Sequence, residues 1–136
     1  MWVFGFFVLL SFDLFMEGIV FEWLEWNGTT KNDWFFKCHL EREKLMPGTL
    51  QIEAMLQTLV LAIYTIQGHK GKLSYVTDIS TKLLSSVSPD SQLDIYADLL
   101  SYNRGIAKGV AVGKIDDSTV CQGEFTFISP HDMPLP

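Results

Sequence analysis

From Leu50 to Ile66 the chain is apolar at 12 of 17 positions, too greasy for a helix with one face in water. The pattern predicts a helix from Pro47 to Gln67. Pro47 suits the first turn, where its missing N–H has no partner to lose. Gly68 suits the left-handed position just past a helix end. The few polar residues fall in two narrow stripes. Gln51, Thr58 and Thr65 form one by their seven-residue spacing. Glu53 and Gln57, one turn apart, form the other on the opposite side.

After Gly71 the pattern changes to strands, the first over 72–82. Pro89-Asp90 marks a turn. In 92–102, Leu93, Ile95, Ala97 and Leu99 alternate with Asp94, Tyr96 and Asp98, the mark of a half-buried strand. Asn103-Arg104-Gly105 closes a hairpin into a strand over 106–115, where Gly109 and Gly113 permit curvature. Asp116-Asp117 turns the chain into a last strand over 119–128. Upstream, 18–26 reads as a strand and Asn27-Gly28 as a turn. One long helix with consecutive antiparallel strands predicts an α+β fold, a curved sheet wrapped around the helix. The 136 residues read as a single domain, 1–136, with an irregular three-proline tail over 130–136.

Composition narrows the partners. A net charge of −6 with no basic run argues against nucleic acid. A hydrophobic content of 48% is high for a domain this small and suits an additional oligomer interface. Cys38 and Cys121 are too few for a disulfide framework and point to a reducing, cytoplasmic setting. They stand in no zinc-ligand spacing. Met1 to Phe12 is apolar but shorter than the roughly 20 residues a bilayer requires. It lacks a basic leader and a small-residue cleavage site, so it reads as buried N-terminal structure.

The candidate chemistry lies around the start of the helix. His39 has the residue type for proton transfer near neutral pH. Glu53 is an acid in an apolar helix, where desolvation is expected to raise its pKa and keep it protonated. The backbone N–H of Gly48 lies at a helix N-terminus, where free donors and the helix dipole favour a developing oxyanion. Gln57 is placed to hold Glu53. The alternatives are a loop histidine with one hydrogen bond and a structural acid held by Gln57. Cys38 reads as a small buried residue, and His69 and His131 as surface residues.

The segment Cys38 to Gln57 resembles the active-site region of the FabZ-like 3-hydroxyacyl-[acyl-carrier-protein] dehydratases. It holds a histidine, a short loop, Met46-Pro47-Gly48, then Leu50-Gln51-Ile52-Glu53-Ala54-Met55 and Gln57. Asn32-Asp33-Trp34-Phe35-Phe36 resembles the family's Asn-Glu-x-Phe-Phe. Arg104-Gly105-Ile106 and Phe125-Thr126-Phe127 fall where the family has its last hairpin strands. The family's Phe-Pro after the histidine is Leu40-Glu41 here, and the following loop is Arg42-Glu43-Lys44. The resemblance implies a hotdog fold and dehydration of 3-hydroxyacyl thioesters to trans-2-enoyl thioesters. His39 would be the general base and Glu53 the general acid, meeting across the interface of a homodimer or a trimer of dimers. Gly48 and Gln57 would assist. The acyl group would arrive on acyl carrier protein or coenzyme A, with no metal, organic cofactor or membrane involved. A hotdog thioesterase, or an acyl-binding hotdog protein without catalysis, is the alternative.

Overall fold

The long helix, α1 (Gly48–Tyr64), is the element on which the sheet closes. The computed structural model describes residues 24–29 (as backbone), 36, 39–40, 42–89 and 91–134. The expected buried start at Met1 to Phe12, the strand residues 18–23, Asn32 to Phe35 and Cys38 lie outside these.

The strands are β1 (Leu24–Thr29), β2 (Tyr75–Leu83), β3 (Gln92–Asn103), β4 (Ile106–Ile115) and β5 (Ser118–Ile128); α1 (Gly48–Tyr64) lies between β1 and β2. They form one antiparallel sheet in the order β1-β3-β4-β5-β2. This is the predicted α+β architecture. The two tight hairpins use backbone with positive φ at both central residues, Arg104 and Gly105 in one and Asp116 and Asp117 in the other. Such turns carry the twist that antiparallel neighbours need. Register shifts between Val76 and Asp78, Leu99 and Ser101, and Gly113 and Lys114 add local bends.

Met55, Leu59 and Ile63 recur every four residues and are fully buried against the sheet. They share a core with Leu93, Ile95 and Ala97 of β3, Ala107 and Ala111 of β4, and Phe125 and Phe127 of β5. Each large apolar side chain in this layer contributes about 1.5–3 kcal/mol. The helix sits close because β4 is lined with small residues. A Cβ on Gly109 would stand 2.4 Å from Leu59 Cδ2 and 3.1 Å from the Asp98 carbonyl. Phe36 is buried in the same core.

Three expectations need correction. Asn27 and Gly28 are not a turn; they pair with Asp94 and Leu93 inside β1, the ladder overriding a local signal. Helix α1 ends at Tyr64 rather than Gln67. The Thr65 amide and hydroxyl both reach back to the Ala62 carbonyl, and the Ile66 amide to Ile63, tightening the final turn. The tail is not wholly irregular, since Pro130–Asp132 forms a 3₁₀ turn. The stripe of Gln51 and Thr58 proves to be on the buried side. Thr58 satisfies its hydroxyl on the Ala54 carbonyl at 2.8 Å, whereas Gln51 Oε1 has no partner among the described residues.

Candidate active site

The loop before α1 is anchored by its backbone. The Met46 amide bonds the Val87 carbonyl at 2.8 Å, tying the entry to the helix to the β2–β3 connection. Upstream, the Glu43 and Lys44 amides both bond the Leu40 carbonyl at 2.9 Å, closing a tight turn. Leu40 and Lys44 pay for that turn with φ of 51° and 48°. This is the stretch where proline and glycine are absent. Non-glycine residues hold left-handed backbone in their place.

The turn delivers His39 to a defined position. Its Nδ1 lies 2.9 Å from the Leu45 carbonyl oxygen. A carbonyl only accepts, so Nδ1 carries the proton and a neutral ring keeps its lone pair on Nε2. His39 is half-buried, neither sealed in the core nor fully in water.

Glu53 lies in the second turn of α1, also half-buried. Gln57 Nε2 donates to Glu53 Oε1 at 2.6 Å. This is the contact that i, i+4 spacing on a helix provides. Gly48 opens the helix after Pro47, and among the described residues no side chain caps this end. The Leu50 and Gln51 amides bond the Pro47 carbonyl, which leaves the Gly48 and Thr49 amides as the donors that could meet an anion. A Cβ on Gly48 would stand 2.4 Å from Leu83 Cδ1, so β2 covers this helix end closely. Among the described residues, no hydrogen bond joins His39 to Glu53; each has its own partner.

Sequence reasoning missed two supporting groups. The Leu45 carbonyl is a backbone atom and has no side-chain signature. Leu83 approaches Gly48 only through the fold. The expectation that His69 lies on the surface is also corrected: its side chain is 12% exposed and bonded to Asp132. Cys121 is fully buried and free, with burial pushing its thiol up to about 11 against a smaller opposing bond from the Gly113 backbone. It is no nucleophile at neutral pH.

The FabA-like domain family matches residues 27–124, which take in the second half of β1, all of α1, β2, β3 and β4, and most of β5. The chain belongs to that family. FabA-like relatives agree along most of their length. The 3-hydroxyacyl-[acyl-carrier-protein] dehydratase FabZ of Clostridium beijerinckii is 32% identical over 103 residues, 75% of this chain and 72% of the relative. FabZ of Oceanobacillus iheyensis is 30% identical over 97 residues, 71% of this chain and 69% of the relative. The chain is thus a FabZ-like member of the hotdog dehydratases. Solved structures share the fold at low identity. A dehydratase heterocomplex from Xenorhabdus doucetiae superposes with a TM-score of 0.66 at 17% identity, covering 83% of this chain and 78% of its own. A hypothetical thioesterase with coenzyme A from Streptococcus pneumoniae gives 0.65 at 13%, covering 87% and 89%. Among the described residues, no helix is long and apolar enough to cross a membrane.

Proposed function

We propose that this protein removes water from 3-hydroxyacyl thioesters carried by acyl carrier protein, giving trans-2-enoyl thioesters. The observation that carries the reading is the bond from His39 Nδ1 to the Leu45 carbonyl. It leaves Nε2 as a base in the loop just before the helix that bears Glu53. FabZ relatives supply the substrate class by name.

In this mechanism His39 Nε2 takes a proton from the carbon beside the thioester carbonyl. Charge moves onto the carbonyl oxygen, which the Gly48 amide at the helix N-terminus receives. Glu53 in its acid form gives a proton to the hydroxyl on the next carbon. The C–O bond breaks, the C–C double bond forms, and water leaves. Gln57 holds the Glu53 carboxyl through the shared bond. The base ends with one proton more and the acid with one fewer, and exchange with solvent resets both.

The two half-sites belong to different subunits of a homodimer in this reading. Support comes from β2. It is a sheet edge whose only partner strand among the described residues is β5. Tyr75, Val76, Ile79 and Leu83 on it are exposed, with Leu73 and Leu84 at its flanks. An apolar, unpaired edge invites a second strand.

The deciding assay supplies crotonyl-CoA and a thiol reagent together. Reversible loss of enoyl absorbance, abolished in His39→Ala and Glu53→Gln with the dimer intact, is the expected result. Thiol release without hydration would assign a thioesterase instead. Silence on both counts, with crotonyl-carrier protein also inert, would assign a binding protein.

A further inference from the structure

A second cluster lies away from His39 and Glu53, where the end of α1, the end of β3 and the 3₁₀ turn after β5 meet. His69 follows the helix, Tyr102 is near the end of β3, and His131 and Asp132 belong to the turn. One carboxylate oxygen, Asp132 Oδ2, gathers the others. His69 Nε2 bonds it, the Tyr102 hydroxyl donates to it at 2.8 Å, and His131 Nε2 stands 3.6 Å away. The His69 ring meets Tyr102 edge-on, with centroids 4.8 Å apart.

The proton count on His69 is the informative feature. Nδ1 lies 3.1 Å from the Gln67 carbonyl oxygen, and Nε2 faces the Asp132 carboxylate. Both neighbours accept hydrogen bonds, and a neutral imidazole has one N–H to give. With its one N–H on Nδ1, given to the Gln67 carbonyl, a neutral ring turns the Nε2 lone pair toward the carboxylate, where a cation would serve both. The second imidazole, His131, faces the same oxygen. A metal ion resolves the arrangement. His69 Nε2, His131 Nε2 and one Asp132 oxygen lie within 4.8 Å of one another. Two imidazoles and a carboxylate, with a fourth position left to water, are the donor set of a borderline ion. Gln67 and Tyr102 then act as outer partners that fix the ring tautomer and the carboxylate.

We propose that His69, His131 and Asp132 bind a divalent transition ion of the zinc class, clasping the C-terminal turn to the end of the central helix. Oxygen-seeking ions such as Mg²⁺ are disfavoured by two nitrogen ligands. The site has no part in the dehydration, so it stands or falls separately.

The test uses the untagged full chain, stripped with a chelator and dialysed. Calorimetric titration with Zn²⁺ should give one ion per chain. Co²⁺ should show the visible absorption of a four-coordinate site. Zinc should raise the melting temperature of the stripped protein. His131→Gln, at an open position, should melt like the stripped wild type yet bind zinc at least roughly 10-fold more weakly. His39→Ala should bind zinc as the wild type does. Folded protein that takes up no zinc would overturn the proposal and leave a purely hydrogen-bonded latch. So would affinity unchanged by His131→Gln, or affinity lost with His39→Ala.

Discussion

Gln57 reaches back one helical turn and donates its amide to Glu53 at 2.6 Å, the only side-chain bond Glu53 makes among the described residues. The pair is preassembled on a rigid helix, so substrate need not organise it. Gln57→Ala should then lower kcat by roughly 10-fold while leaving the fold intact, a supporting rather than reacting role. Glu53→Gln should lose at least about 100-fold, the scale of a missing general acid. Steady-state kinetics on both variants decides the matter. Equal losses would make Gln57 a participant in proton transfer and overturn the assignment.

The edge strand β2 makes the second prediction. Ile79 is exposed on β2, an edge of the sheet among the described residues. Ile79→Asp should leave the subunit folded and convert a dimer at micromolar concentration into monomer, read by sedimentation. Activity should fall with the dimer if His39 and Glu53 meet across it. A variant that is monomeric yet fully active would disprove the shared site.

Much of this arrangement was legible because it rests on periodicity. The alternation from Leu93 to Leu99 located β3, and the run from Leu50 to Ile66 located α1, though packing there could not be read. Glu53 and Gln57 were paired correctly from spacing alone, since four residues on a helix fix their neighbourhood. Asn27-Gly28 misled because turn propensity is a local preference and the pairing with β3 is a tertiary one. His69 was read as surface because its partner, Asp132, is 63 positions away in the chain. No local pattern encodes such a contact.

The loop bearing His39 should be improvable. Lys44 is exposed with φ of 48°, a conformation that L side chains resist and glycine does not. Lys44→Gly should raise stability by up to about 1 kcal/mol, the left-handed penalty less glycine's extra chain entropy. Urea unfolding measures it. A destabilised variant would mean that the lysine side chain holds the loop by a contact outweighing its backbone cost.

Cys121 gives a pH prediction with a definite sign. Burial raises its thiol from 9.0 to about 11 in the folded chain. The folded state thus binds the proton more tightly than the unfolded one. The associated stability is complete below pH 9.0 and is lost as pH rises through about 11. Cys121→Ala should be less stable at neutral pH, because it leaves a cavity, and should lose less on going alkaline. Denaturant midpoints for both proteins between these pH values check the difference in slope. Parallel slopes would refute the thiol's contribution.

The contact of Gly109 with Leu59 places a limit on how this gene can vary. Every missense change at codon 109 adds at least one carbon, and that carbon falls where a Leu59 methyl already stands. The helix that carries Glu53 and Gln57 keeps its distance from the sheet through an atom that is not there, so even alanine, the mildest substitution available, must push aside the Leu59 side chain that packs over it.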